Sequence, residues 1–163
     1  MTLQLIYKKA TINDFEDLLL IKSDKANIQW GGFVETPNRQ LFFEWFKEQL
    51  KSSFRSIYLV YEHAYPCAFF YIDKVNETTY ELSSSGVLSK YTGNGIGTYT
   101  VQKRLEIIQA LGGKTCITWI SEQNIASYRR FIKEGFTRTK EYETRVLPLL
   151  GGEHKFYKWI KEL

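Results

Sequence analysis

Three glycines at alternate positions, Gly93-Asn94-Gly95-Ile96-Gly97, stand between a strand-like segment and a long helical pattern. Glycine alone takes positive φ without strain and lets another group approach the backbone closely. Free N–H groups at the start of the following helix, with the helix dipole, make an anion site. Phosphate is its natural occupant. A P-loop needs a lysine after its last glycine, and Gly97 is followed by Thr98. A dinucleotide fingerprint reads GxGxxG at the opening of a βαβ unit. This loop reads GxGxG and comes mid-chain, after three strand patterns that look antiparallel. On the loop alone, a turn that merely caps a helix remains an equal alternative.

The rest of the chain frames the loop. Leu3–Lys8 reads as a first strand and Asn13–Lys25 as a helix with Phe15, Leu18, Leu19 and Ile21 on its apolar face. Thr36-Pro37 opens a second helix as N-cap and first helical residue, with Leu41, Phe42, Trp45, Phe46 and Leu50 as its apolar members. Trp30 and Phe33 fall in a Gly-containing loop between the two. Ser56–Tyr61, Cys67–Asp73 and Thr79–Leu88 read as strands. A helix over Ile96, Val101, Leu105, Ile108 and Leu111 ends at Gly112-Gly113. Thr115–Ile120 is a strand, Ser127–Glu134 a helix, and Phe136–Val146 and Glu153–Ile160 are the last strands. The order β-α-α-β-β-β-α-β-α-β-β predicts an α+β or mixed α/β fold, a sheet with helices on both faces. No linker divides residues 1–163, so one domain is expected.

Charge narrows the partners. A formal net charge of +4 is too small to argue for nucleic acid but suits a small anionic ligand. Cys67 and Cys116 lie in apolar runs and read as buried thiols of a reducing compartment. His63 and His154 are isolated, so no metal site is expected. The first residues do not read as a signal peptide, and no apolar run approaches the ~20 residues of a membrane span. The expected location is the cytoplasm, with no membrane partner. With one Met and 16% aromatic residues, the core is built from Phe, Tyr and Trp.

Thr92-Gly93-Asn94-Gly95-Ile96-Gly97 resembles motif A of the GNAT superfamily of acyl-CoA-dependent N-acetyltransferases, written [RQ]-x-x-G-x-[GA]. Gly95 and Gly97 fill its last two fixed positions, and Thr92 stands where Arg or Gln is usual. Val87-Leu88-Ser89-Lys90-Tyr91 has the spacing of the family's fourth strand and its exit. Asn124-Ile125-Ala126-Ser127-Tyr128-Arg129-Arg130-Phe131-Ile132-Lys133-Glu134-Gly135-Phe136 is similar to motif B, with Ser127 at the small position, Phe131 at the aromatic one and Gly135-Phe136 at the end. Cys116–Ile120 corresponds to the fifth strand. The motifs span about residues 80–137 in the family's order, and the first 55 residues look like the ribosomal-protein and small-amine acetyltransferase branch.

The resemblance implies the GNAT fold, a mostly antiparallel central sheet whose fourth and fifth strands splay apart, with acetyl-CoA as co-substrate and no metal. Gly93, Asn94, Gly95, Ile96, Gly97 and Thr98 would donate backbone N–H groups to the pyrophosphate, with Thr92 beside them. Val87 and Leu88 would hold the pantetheine as a strand holds its neighbour, one N–H polarising the thioester carbonyl. Asn124, Ser127 and Phe131 would line the cofactor site. Glu81 is the candidate base, six residues before Val87. Phe131 has no proton to give where many members carry Tyr, so Tyr128, one turn earlier, is the candidate acid. Ser83, Ser84 and Ser85 would line the acceptor end, and Arg129 and Arg130 would reach the 3′-phosphate. Among Trp30, Phe33, Trp45 and Phe46, Trp30 is the pocket candidate. The partners implied are acetyl-CoA and an amine, with a homodimer through the last hairpin as an analogy. Phe131 and Thr92 also leave open a non-catalytic acyl-CoA-binding module.

Overall fold

The computed structural model describes residues 3–30 and 37–163. Its elements are β1 (Leu5–Lys9), α1 (Phe15–Lys22), α2 (Lys25–Trp30), α3 (Arg39–Leu50), β2 (Arg55–Glu62), β3 (Tyr65–Lys74), β4 (Thr79–Glu81), β5 (Ser85–Val87), α4 (Ile96–Ala110), β6 (Thr115–Ser121), α5 (Ile125–Lys133), β7 (Thr137–Val146) and β8 (Glu153–Glu162). Among the described residues the strands form one eight-stranded sheet, ordered β1-β2-β3-β4-β6-β8-β7, with β5 also on β3. Only β4 and β6 run parallel. This is the mixed, mostly antiparallel sheet expected.

Strand β3 is the centre of the molecule. Cys67 through Ile72 are all buried, so its sequence is apolar without alternation. On one face Phe70, Ile72, Tyr80 and Leu82 pack against Ile96, Val101, Leu105 and Ile108 of α4 and Phe131 of α5. On the other, Ile57, Leu59, Phe69 and Tyr71 pack against Phe15, Leu18 and Ile21 of α1 and Phe42 and Phe46 of α3. Aromatic rings knit this second layer, with Phe15 lying 4.8 Å from Phe43 and 5.9 Å from Phe42. Cys67 and Cys116 are free thiols buried in the first layer.

The expected helix over 13–25 is two helices. The chain turns at Ser23, and Asp24 starts α2, its carbonyl accepting from Asn27 N and Ile28 N at 2.9 and 3.0 Å. Trp30 therefore ends a helix instead of sitting in a loop, and Phe33 lies outside the described residues, as does Thr36. The third helix begins at Arg39, two residues after Pro37. Its N-cap is Asn38, extended at ψ 124, with the side-chain oxygen accepting from Leu41 N at 3.0 Å. Asn competes well for that position because its short side chain reaches the unpaired N–H groups of the first turn.

The expected strand over 79–88 is broken in two, and the break places the site. Glu81 pairs with Asp73 and Ser85 with Phe70. Four steps on one strand oppose three on the other, so an extra residue is inserted over Leu82–Ser84, a β-bulge. Before it, β4 pairs with Thr115–Ile117 of β6. Leu82 extends that contact, donating to Ile117 O at 2.9 Å and accepting from Thr118 Oγ1 at 3.0 Å. After it, β5 pairs with β3 alone, while β6 runs on beside β8. The sheet opens into a gap between β5 and the second half of β6.

Asn38→Ala removes the cap of α3. It is expected to lower unfolding free energy by about 1 kcal/mol, measured by urea denaturation.

Candidate active site

Antiparallel strands alternate residues bonded to the neighbour with residues whose N–H and C=O point away. Ser84 O accepts from Tyr71 N at 2.9 Å, and Leu88 N donates to Cys67 O at 2.9 Å. Ser84, Gly86 and Leu88 therefore face β3, and Ser85 and Val87 face the gap. This corrects the expectation for Leu88: its N–H is taken by Cys67 and its side chain is buried in the α1–α3 layer. Val87 keeps its N–H on the gap side. Its carbonyl accepts from Asn27 Nδ2 of α2 at 3.3 Å. Asn27 reaches across Gly86, where a Cβ would come within 2.6 Å of Asn27 Oδ1 and 2.7 Å of the Phe69 ring. Asp24 anchors the same segment, accepting from Ser89 N at 3.2 Å and Ser89 Oγ at 2.6 Å. Neither Asn27 nor Asp24 carried a sequence signal, because their partners lie some sixty residues away.

The glycine loop closes the open end of the gap. The first helical bond of α4 runs from Tyr99 N to Gly95 O at 3.0 Å. Among the described residues, no acceptor is found for the backbone N–H groups from Gly93 to Thr98. Gly93 and Gly95 have φ of 85° and 77°, with nothing within 4 Å of where a Cβ would stand. Asn94 holds the turn from inside, donating to Tyr91 O at 2.9 Å. Ile96 buries its side chain in the core and offers only its backbone. Thr92 lies at the end of the 3-10 turn Ser89–Tyr91, its N–H donating to Ser89 O. Six consecutive donors with no acceptor among the described residues, at the positive end of a fifteen-residue helix, form an anion cradle.

Helix α5 lies beside α4. Asn124 is its N-cap and accepts from Ser127 N at 3.4 Å, so the two motif residues first serve the helix itself. Phe131 is 5% exposed and meets Phe136 edge-on at 5.0 Å, which puts it in the core. Tyr128 stacks on Trp159 at 6.1 Å and 11°. It lines a cavity of about 500 Å³ together with Ile120, Gln123, Arg138 and Tyr157, and no residue of β5 or of the glycine loop borders that cavity. Tyr128 and Val87 both pack against the first core layer, under α4 and α5. Arg129 is exposed. Arg130 lies against the glycine loop: a Cβ on Gly97 would come within 2.7 Å of its Nε.

Register places the other side of the site. Residues directly opposite across a ladder share a face. Asp73 is opposite Glu81, Glu81 opposite Ile117, Ser121 opposite Phe156, and Arg145 opposite His154. Tyr71, Glu81, Trp119, Phe156, His154 and Arg145 thus share the face that α1 and α3 cover over β2 and β3. Trp30 reaches it, its ring 6.5 Å from that of His154. Trp45 stacks on Phe42 at 5.2 Å and touches Tyr71, while Phe46 is fully buried. Burial holds the Glu81 carboxyl above the usual range, with Asp73 and Glu143 adding to it and Arg145 and Arg55 opposing. Burial also pushes the Lys22 ammonium down to about 8, over the rings of Phe69 and Tyr71. Three buried side-chain polar atoms have no hydrogen-bond partner among the described residues: Tyr71 Oη and His154 Nδ1 on this face, and Ser83 Oγ in the bulge. His154 Nε2 lies 3.0 Å from Gly151 O. A carbonyl only accepts, so Nε2 carries a proton toward Gly151. Tyr71, Trp119 and His154 were not singled out from sequence, since strand pairing alone brings them to one face.

The profile described as acetyltransferase (GNAT) family matches residues 23–136, more than half of the chain. No curated protein matches in sequence. Among solved structures, spermidine N-acetyltransferase from Vibrio cholerae, in complex with CoA and spermine, superposes with a TM-score of 0.83 at 11% identity, covering 98% of this chain and 95% of its own. Ribosomal-protein-alanine N-acetyltransferase from Brucella melitensis gives 0.77 at 17% identity, covering 97% and 99%. YncA from Salmonella typhimurium, with its cofactor acetyl-CoA, gives 0.76 at 16%, covering 98% and 94%. At these identities the likeness is one of fold.

Gly95→Val meets no atom but forces a β-branched residue to positive φ. Stability is expected to fall by about 1–2 kcal/mol, read from urea denaturation. A variant as stable as wild type would contradict the left-handed turn.

Proposed function

Because the chain belongs to the acetyltransferase (GNAT) family, we propose that it moves the acetyl group of acetyl-CoA to a primary amine by direct attack in a ternary complex. The observation that carries this reading is the run of unpartnered N–H groups from Gly93 to Thr98 at the mouth of a gap in the sheet. A diphosphate fits such a cradle, and an extended pantetheine arm suits a sheet gap edged by the free ladder groups of Val87. The YncA and spermidine acetyltransferase structures, with acetyl-CoA and CoA, support the donor.

Each step then has a residue. Gly93 to Thr98 hold the diphosphate. Val87 supplies the N–H that bonds the arm or polarises the thioester carbonyl, withdrawing charge from the carbon under attack. The amine nitrogen bonds to that carbon, the C–S bond breaks, and CoA leaves as thiolate. The proton shed by the amine passes to Glu81, directly or through a water held by Ser83. A thiolate is a good leaving group, and the proposal assigns it no dedicated acid. The acceptor, a small amine, an amino sugar or a protein N-terminus, lies over Glu81 between Trp30, Tyr71, Trp119 and His154.

Thiol release from acetyl-CoA across an amine panel tests the reaction. Amine-dependent release is expected. Saturable binding of acetyl-CoA without release would make the chain a binding module.

Glu81→Gln tests the base. Activity requires the carboxylate, so kcat/KM is expected to rise with pH through a pKa above the ordinary ~4.3. The variant is expected to lose that limb and about 100-fold or more in kcat, with acetyl-CoA affinity unchanged. A rate within twofold of wild type at every pH would remove Glu81 from the mechanism.

A further inference from the structure

Arg130 stands where the electrostatics of the fold disfavour a cation. Helix α5 delivers its guanidinium to the first turn of α4, into the space that a side chain on Gly97 would fill. That turn is already the positive end of a helix, where anions are stabilised and cations are not. A second guanidinium lies close by. Arg104, from α4 itself, is 1% exposed, bonds Thr100 O through Nε at 3.4 Å and sits 5.7 Å from the centre of the Phe70 ring. The two cations repel each other. Desolvation acts on both, and no carboxylate among the described residues offsets it for either. Elsewhere in the molecule partly buried arginines are paired, as Arg55 is with Asp73 at 2.8 Å.

Three sources of positive charge that no acid among the described residues offsets form a local conflict. Folds keep such conflicts where a ligand resolves them, since an uncompensated buried charge otherwise only destabilises. The missing ligand is an anion, and its position follows from Gly97. That residue lies within the run of free N–H groups from Gly93 to Thr98, so an anion bonded to those groups lies beside the guanidinium.

We infer that Arg130 is a ligand of the CoA diphosphate, seated by the absent side chain of Gly97 and completing the backbone cradle. This rests on the acetyl-CoA reading above and replaces the 3′-phosphate role expected of the Arg129–Arg130 pair. Arg104 remains underneath and deepens the field without reaching the ligand. Motif A carries Thr92 where a longer polar side chain is usual, and the missing side-chain contact is supplied here from α5.

The test is calorimetric titration with CoA and with dephospho-CoA, on wild type, Arg130→Gln and Arg130→Lys, together with thermal unfolding of each protein without ligand. Losing a charge-assisted hydrogen bond is expected to weaken binding about 10- to 100-fold, equally for both ligands. Lysine is expected to restore only part of it, since it keeps the charge but not the fork. Without ligand, Arg130→Gln is expected to unfold at the wild-type temperature or above it, because a frustrated cation has gone. Unchanged CoA affinity in Arg130→Gln overturns the proposal. A loss confined to CoA moves Arg130 to the 3′-phosphate and overturns it too. A fall in the ligand-free unfolding temperature makes Arg130 a packing residue and does the same. Wild type that binds neither ligand overturns the acetyl-CoA reading itself, a result distinct from these three.

Discussion

One extra residue after Glu81 sets the rest of the site in place. Without it, the strand that starts at Thr79 would keep its parallel pairing with β6 to the end, and the sheet would be closed. The bulge over Leu82–Ser84 turns β5 away while β3 keeps hold of it. The ladder groups of Ser85 and Val87 are then left facing a gap. An open ladder edge inside a protein normally demands a partner. The fold limits the damage at the apex, where Leu82 bonds both Ile117 and Thr118, and on the flank, where Asn27 covers the Val87 carbonyl. What stays open ends at the glycine loop.

The two sides of the gap are charged on different principles. Toward α1 and α3 most charges come in pairs: Arg55 with Asp73, Arg145 with Glu143, and Lys158 with Glu141. Among the described residues Glu81 forms no such pair, and its environment raises its pKa, as suits a group that must take up a proton. Polar atoms without partners among the described residues, on Tyr71 and His154, line that side. Toward α4 and α5 the cations outnumber the acids, with Arg104 and Arg130 around a helix N-terminus. One side suits a proton transfer on a small polar molecule and the other a multiply charged anion.

Much of this was legible in the chain because it is local. The alternating glycines and the apolar period of α4 each act within a few residues, and the GNAT resemblance added the splay of the strands. Boundaries set by short polar side chains were less legible. Asp24 divides one expected helix into two, and Asn38 caps the third. Least legible were groups that only register brings together. His154 looked isolated, yet strand pairing sets it beside Arg145 on the face of Glu81. Helical spacing put Tyr128 near Phe131, but Trp159 of a distant strand claims its ring. Leu88 looked as free as Val87, and only the phase of the β3–β5 ladder separates them.

Residue-resolved amide hydrogen exchange with and without acetyl-CoA tests the central claim most directly. The account predicts slowed exchange at Val87 and from Gly93 to Thr98 when acetyl-CoA is added, with no such effect from NAD or ATP. Binding of acetyl-CoA that leaves those amides exchanging as before would contradict it, because the gap and the glycine loop would then not be where the donor lies.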